Sequence, residues 1–302
     1  NWLEDYSKGQ RGHWKNDCCR QIILVNTNIR NQINNIINLA IKEDKVNQDI
    51  TSKLSLSNKL ICKVYIKSKD QGILSGLPIV KQILKKVDKT IQTKSYKRNG
   101  SKLKKNTKIL LIKGRAQSIL KSERTILNFL GHLSGIASET DRLVKKTKKY
   151  NTKICCTRKT IPGMRYLQKQ AIKIGGGYNN RYDLEEEIFV KDNHHLDKQK
   201  FREKIILIKK RNKSNKKINV EVDNINQLKK IIDLKIDRSL LEKFSPNTLR
   251  KAWKIIPNNI ETEASGNITS KNIMNYARTG VKRISLGYLT HTVKNFNFSL
   301  EF

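Results

Sequence analysis

Between about residues 153 and 287, short apolar runs alternate with amphipathic segments, and that order restricts the fold more than any other feature of the chain. The runs TKICCT, EEIFVKDNH, INVEV, SLLEK, IETEAS and VKRISLG read as strands. MRYLQKQAIKIG, NINQLKKIIDLK, SPNTLRKAWKII and ITSKNIMNYARTG read as the helices between them. A strand that re-enters its sheet through a helix runs parallel to its predecessor, so the pattern predicts an α/β barrel or a doubly wound sheet. Local punctuation agrees. Ser245 suits a helix N-cap with Pro246 in the first turn, and Gly280 suits a helix stop.

The preceding region is mixed. In NIRNQINNIINLAIKED, Ile29, Ile33, Ile36, Ile37 and Ala40 recur at helical spacing. KLICKVYIK and KILLIKG read as strands, and DQGILSGLP as a turn with a short apolar stretch. Ala116 to Lys148 reads as a long helical region with Gly135 as its candidate break. Residues 1–26 have no clear period and read as an extension without the apolar core of a signal peptide.

In parallel barrels the chemistry sits at the C-terminal ends of the strands. Here those ends carry Arg158 and Lys159, Lys191, Glu221, Glu242, Glu263 with Ser265, and Gly287. Arg158 offers a planar fork suited to carboxylates and Lys159 a compact charge. Arg181 and Lys191 add two more cations within GGGYNNRYDLEEEIFVKDNHH, a stretch that opens on Gly175, Gly176 and Gly177. Such a cluster suits a small anion, although each member taken alone reads as solvated surface. The triple glycine is expected to end a helix and to let the backbone pass close to the pocket. Glu221 and Glu242 end successive strands and suit a divalent cation carried by phosphates, against the plainer reading that each balances a nearby lysine. The loops EASGNITSKN and ISLGYLTH place small residues where backbone N–H groups can meet a phosphate.

Charge is the loudest compositional signal: 302 residues carry a formal +37. A polyanion partner is one reading. Lysine, asparagine and isoleucine all have A/T-rich codons, however, and the lysines are spread along the whole chain, so drift in coding composition is ranked ahead of nucleic-acid binding. The basic runs KSYKRNGSKLKKNTK and KKRNKSNKK lack the interleaved aromatics of a base-stacking surface. Five cysteines (Cys18, Cys19, Cys62, Cys155, Cys156) fit neither a disulfide framework nor zinc spacing. No stretch is apolar for long enough to span a membrane. A reducing, cytoplasmic setting is expected.

The run TRKTIPGMRYLQKQAIKIGGGYNNRYDL, followed by FVKDNH, resembles the signature of the quinolinate phosphoribosyltransferases. AIKEDKVNQDITS, GILSGLP, SERTILNFLGHLSGIAS, VEVDN, EASGNIT and ISLGYLTHTVKNFNFSLE resemble further blocks of that family, in order, from about residue 27 to the end. The resemblance implies an α/β fold of the type II phosphoribosyltransferase kind. It would have an N-terminal open α/β sandwich over residues 27–138, joined by 289–302, and a C-terminal incomplete α/β barrel over 139–288. It implies transfer of phosphoribosyl from phosphoribosyl pyrophosphate to quinolinate, with Mg²⁺, giving nicotinate mononucleotide, CO₂ and pyrophosphate for NAD synthesis. It further implies a homodimer or higher assembly with shared active sites, and neither a specific nucleic acid nor a membrane as partner.

By resemblance, Lys159, Glu221 and Glu242 take the catalytic positions, with the two glutamates near the metal. Thr157, Arg158, Lys159, Arg181, Lys191, Glu221 and Glu242 line the substrate pocket. Ser265, Gly266 and Asn267, with Gly287, Tyr288, Leu289 and His291, fall on its phosphate-binding side, and Arg124 is supplied across the dimer. Four positions depart from the family pattern. Asn180 stands for a histidine, Glu242-Lys243 for Asp-Asn, Asn267 for a glycine, and Gln48 for the glycine before Asp49. These departures keep two alternatives in play: an impaired scaffold that binds polyanions in a salt-sensitive way, and a related transferase for another aromatic acid.

Overall fold

A computed structural model describes residues 27–191, 194 and 200–302. The expected extension 1–26, with Cys18 and Cys19, and the residues Asp192 and Asn193 lie outside the described residues. The first strands are β1 (Ile61–Ser68), β2 (Gly72–Ile73), β3 (Gln92–Ser95), β4 (Lys102–Leu103) and β5 (Lys108–Arg115). After them come β6 (Lys153–Cys156), β7 (Tyr178–Asn179), β8 (Ile188–Val190) and β9 (Ile218–Val222). The last are β10 (Arg238–Glu242), β11 (Glu261–Ser265), β12 (Arg283–Ser285) and β13 (Phe298–Glu301). The chain divides into two units. One takes the described residues up to Gly135 with 162–167 and 294–302, and the other takes 136–161 and 168–293.

The first unit is built on a four-stranded antiparallel sheet in the order β13-β1-β5-β3. Its alternation follows the two-residue period of a strand. Val64, Ile66 and Ser68 of β1 are buried on one face, and Val64 and Ile66 pair with the buried Ile112 and Leu110 of β5. The expected helix forms as Thr27–Glu43 and buries Ile33 and Ile37 fully, with Ile29, Ile36 and Ala40 at its margin. Leu77–Val87 buries Leu77, Val80 and Leu84 with Ile79 and Ile83, a one-sided stripe that removes five aliphatic side chains from water. One face of the sheet is therefore buried, as an open sandwich requires.

The long helical region differs from expectation at its break. It divides after Ala116–Leu120, and Glu123–Thr147 then runs unbroken through Gly135. A Cβ on Gly135 would stand 2.3 Å from the Lys294 carbonyl oxygen, and one on Gly131 would stand 2.8 Å from that of Phe296. These glycines admit the C-terminal segment against the helix, where Phe296 N–H donates to the Gly131 carbonyl (2.9 Å). They do not interrupt it.

The second unit holds seven parallel strands in the order β7-β6-β12-β11-β10-β9-β8. β7 and β8 follow one another in sequence yet form opposite edges, so the sheet is an incomplete barrel. Ser245 caps Pro246–Trp253 through Thr248 N–H, and Gly280 turns at φ +86° after Ile273–Ala277, as the sequence punctuation predicts. The helix Phe201–Arg211 has no counterpart among the expectations.

The triple glycine ends the helix Arg165–Ile174, with Gly176 at φ +83°. Its second expected role is corrected. A Cβ on Gly175 would lie 2.4 Å from the Ala137 carbonyl oxygen, and one on Gly177 would lie 2.7 Å from Thr140 Cγ2. The bare backbone permits close packing on Glu123–Thr147 and none of the three lines the pocket.

β13 is held to β1 in the register Tyr65↔Glu301, where Glu301 meets Lys67 at 2.7 Å and Lys69 at 2.5 Å. Bonds from Lys67, Lys69 and Ser299 hold its carboxyl down at about 2. An unfolded glutamate titrates near 4.3, so this contribution is full above that value and is lost as pH falls through the folded one. Hydrogen exchange read at about pH 6 and about pH 2 should show β13 amides losing protection relative to β5 amides. Glu301→Gln should lower that ratio already at about pH 6. An unchanged ratio in both comparisons would mean the ion pairs do not hold the strand.

Candidate active site

The parallel register places one alternating set of side chains inside the incomplete barrel. Leu240 and Glu242 of β10 stand beside Glu263 and Ser265 of β11, and Leu240 beside Glu221 of β9. With Phe189, Ser285 and the residues that follow each strand, they line a cavity of about 850 Å³ at the C-terminal ends of the strands. That volume suits a small molecule rather than a macromolecule.

Four cations converge there. Arg158 and Lys159 follow β6, Arg181 follows β7, and Lys191 follows β8. Arg158 Nε is buried with no hydrogen-bond partner. Arg181 is 8 % exposed and donates from Nη1 to the Glu187 carbonyl (3.0 Å). Burial and the neighbouring Arg158 together lower its pKa from the ordinary arginine value. Neighbouring like charges, one with a donor that has no acceptor, are arranged to receive an anion. Phe189, absent from the expected set, carries the Arg181 guanidinium 5.1 Å and the Lys191 ammonium 5.2 Å from its ring centroid. Its position two residues before Lys191 on β8 was the available signal.

Lys159 lies against Gly287, where a Cβ would stand 3.0 Å from Lys159 Cδ. Its loop is braced by Thr290, whose hydroxyl donates to the Lys159 carbonyl (2.7 Å), and by Thr157, whose hydroxyl accepts from Lys159 N–H (3.1 Å). Tyr288 lines the cavity and donates to Glu139 (2.9 Å), and burial followed by this bond raises its phenol pKa. His291, Ser265, Gly266 and Asn267 also line the cavity. Leu289 does not: its side chain is fully buried in the core. Arg124 is exposed on the first unit, and the cavity is lined by residues of the second alone.

Beneath the cations lies a buried polar layer that sequence reasoning missed. Glu263, 1 % exposed, approaches Arg238 at 3.3 Å and Arg283 at 3.5 Å. It accepts from Ser285 Oγ and from Asn180 Nδ2 (2.7 Å). Asn180 Nδ2 also reaches Ser285 Oγ (2.9 Å), while its Oδ1 accepts from Arg283 Nη2 (2.6 Å). The departure at position 180 is thus tied into the pocket floor. Asn267 takes φ +55°, a left-handed conformation that asparagine tolerates, so the loop keeps its path without the usual glycine. Lys243 takes the same φ without that tolerance, and it carries the strain of the second departure.

Glu221 is 8 % exposed and lies 3.9 Å from the Lys191 ammonium, while Glu242 Oε1 lies over Gly266. Among the described residues no group of three or more histidine, cysteine, aspartate or glutamate side chains is arranged to hold a metal. Two carboxylates that line one cavity fit a Mg²⁺ that keeps most of its ligands from substrate oxygens and water, and they do not make an all-protein cage.

The family model described as quinolinate phosphoribosyl transferase, C-terminal domain, matches residues 136–301, and the corresponding N-terminal domain model matches 49–134. A probable nicotinate-nucleotide pyrophosphorylase [carboxylating] of Bacillus subtilis is 36% identical over 270 residues, covering 89% of this chain and 93% of that protein. One of Methanocaldococcus jannaschii, with the same description, is 37% identical over 262 residues, covering 84% and 91%. The structure of the nicotinate-nucleotide pyrophosphorylase from Francisella tularensis superposes with a TM-score of 0.85 at 35% identity, covering 90% of this chain and 96% of that one.

The buried layer yields a prediction by contrast. Glu263→Gln leaves Arg238 and Arg283 short of a buried counter-charge and should cost about 3–5 kcal/mol in urea unfolding. Lys153 and Glu261, 44% and 27% exposed, form a rim pair at 3.2 Å. Lys153→Met should therefore cost under about 1 kcal/mol. Equal losses would show that the layer is no more than another surface pair.

Proposed function

The chain belongs to the quinolinate phosphoribosyltransferase family, and from that membership and the basic pocket we propose the site assignments, metal and assembly of a decarboxylating pentosyltransferase. It transfers phosphoribosyl from phosphoribosyl pyrophosphate to quinolinate and releases CO₂ and pyrophosphate, forming nicotinate mononucleotide for NAD biosynthesis. One observation carries the assignment of the site. Arg158, Lys159, Arg181 and Lys191 meet at one end of a single parallel sheet, around a cavity sized for small molecules.

The reactants explain the arrangement. Quinolinate brings two carboxylates, and the co-substrate brings a phosphate and a pyrophosphate. Arg158 and Arg181 take the carboxylates, where the orphaned Arg158 Nε gains an acceptor and the repulsion between the two guanidiniums is relieved. Lys159, beside Gly287 and the loop of Tyr288 and His291, serves the sugar-phosphate side. When the pyridine nitrogen bonds to the ribose carbon, pyrophosphate leaves with the bonding pair. The ring becomes cationic, its adjacent carboxylate departs as CO₂, and a proton takes the vacated position. Fixed cations stabilise the charge that develops on pyrophosphate. Glu221 and Glu242 would hold Mg²⁺, which would supply Lewis-acid neutralisation of the co-substrate's charge.

The assembly is a homodimer with shared sites. Support comes from the first unit, where Ile50 is 71% and Leu54 is 83% exposed, with Leu60 and Ile61 half exposed. Gln117 and Lys121, close before Arg124, reach Leu56 and Asn47 beside these residues. An apolar surface of this kind gains by meeting a second copy, which brings Arg124 to a neighbouring pocket. Among the described residues no helix is long and apolar enough to cross a membrane. The buried free thiols Cys155 and Cys156 suit the cytoplasm.

The deciding measurement is quinolinate-dependent nicotinate mononucleotide formation with Mg²⁺. Parent protein should turn over, and Lys159→Ala should lower kcat/KM by about 10²–10³-fold, the usual cost of losing one preorganised charge. A folded parent without product, across a wide quinolinate range, would refute the enzyme. Shared sites have their own check. Arg124→Ala and Lys159→Ala, each inactive alone, should recover about a quarter of parent activity when unfolded and refolded together, because half the dimers are mixed and each has one intact site. No recovery, with mixed dimers demonstrated, would place Arg124 outside the active site.

A further inference from the structure

Lys169 is the one buried lysine among the described residues, and its side chain is fully enclosed. It sits on the helix Arg165–Ile174, outside the cavity lining. Its ammonium donates to two consecutive carbonyls, those of Asn180 (2.7 Å) and Arg181 (3.0 Å). Desolvating an ammonium costs several kcal/mol before its hydrogen bonds are counted, and a leucine or methionine would fill the space at lower cost. Stability alone does not account for a lysine here.

The topology shows what it does. Asn180 and Arg181 follow β7, a strand of only two residues that forms one edge of the open sheet and pairs with β6 alone. Among the described residues no strand pairs with β7 on its open side, so the ladder reaches it from one side only. The helix holds it from the other. Besides the two bonds from Lys169 Nζ, the Lys169 carbonyl accepts from Asn179 Nδ2 (3.3 Å). On the cavity side the Asn180 amide is tied to Glu263, Ser285 and Arg283, and Arg181 to the Glu187 carbonyl.

We infer that Lys169 is a positioning residue, whose buried ammonium replaces the missing strand and fixes the Asn180–Arg181 turn so that Arg181 meets a substrate carboxylate. The inference rests on the reading of Arg181 as a quinolinate contact. A guanidinium displaced by about 1 Å from a carboxylate can lose on the order of 10²-fold in efficiency. The loss falls on the substrate that Arg181 serves. The loop of Lys159 is braced separately through Gln168, which accepts from Ile161 N–H (2.9 Å) and donates to the Thr290 carbonyl (2.7 Å). It should be spared.

The test uses steady-state kinetics of Lys169→Met and Lys169→Gln, the second being polar but too short to reach either carbonyl. In any folded variant the KM for quinolinate should rise at least about 10-fold, and the KM for phosphoribosyl pyrophosphate should stay within about 3-fold. A role in stability alone would lower the melting temperature without this split. Parent-like quinolinate KM in a folded variant, or an equal rise in both constants, overturns the inference. Should both variants fail to fold, quantitatively and under conditions where the parent refolds, Lys169 is a stability residue and the inference falls. A parent that forms no product overturns the substrate reading instead, so the two failures are distinguishable.

Discussion

The organisation of the site depends on a charge triad that a conventional core would not contain: Glu263 buried between Arg238 and Arg283 inside the parallel sheet. The sheet's alternation makes this possible. On β10, β11 and β12 every second residue faces inward, so three neighbouring strands bring Arg238, Glu263 and Arg283 into one buried layer, with Glu261 at its part-exposed rim. Burial of Glu261 favours its neutral form, but the two arginines outweigh that effect and lower its pKa. For Arg283 burial opposes the charge and the surrounding acidic groups restore it, leaving its pKa raised. Opposite charges thus favour the ionised forms of Glu261 and Arg283, and the layer carries the pocket floor through Ser285 and Asn180.

Above that layer the balance is deliberately incomplete. Arg158 and Arg181 face one another with Nε of Arg158 unsatisfied, and Lys191 has Glu221 only at 3.9 Å. Such a cluster persists only where other bonds hold each member in place. Phe189 supports two of the cations, the Glu187 carbonyl holds Arg181, and the Thr290 hydroxyl holds the Lys159 loop. On the proposed reading, an entering polyanion relieves this fixed repulsion, and its affinity derives from preorganisation already present in the free protein. The net charge of +37 is a separate matter, since the described lysines outside this cluster lie mainly at the surface.

Elements whose signal is local were legible. The stripe Ile29–Ala40, the cap at Ser245, the glycine stop at Gly280 and six of the seven strands of the parallel sheet follow from periodicity and turn chemistry, while the two-residue β7 is too short to carry a period. The strand-end rule brought Arg158, Lys159, Lys191, Glu221, Glu242 and Ser265 to one cavity, with Arg181 close behind. Features created by distant residues were not legible. Gly135 looks like a helix break until Lys294 is placed against it, and the triple glycine looks like part of a pocket until Ala137 and Thr140 are placed against it. Glu263 was visible only as a strand-end carboxylate. Its partners come from strands neighbouring it in space and from a turn 83 residues away in sequence.

The departure at Asn180 follows from the same physics. The side chain donates to Glu263 and to Ser285 while accepting from Arg283, which takes both N–H bonds and the oxygen of one primary amide. A neutral imidazole has one N–H and one bare nitrogen, so it cannot make all three contacts. An imidazolium would add a charge beside Arg283 and close to Arg181. Asparagine therefore suits this floor in a way histidine does not, and it is committed to the floor rather than to the substrate. On the proposed reading, recognition of the carboxylates is left to Arg158 and Arg181, and the turn that carries the second of these is held from behind the pocket by Lys169. On that reading, a pocket floor with no charge at position 180 makes the placement of Arg181 count for more.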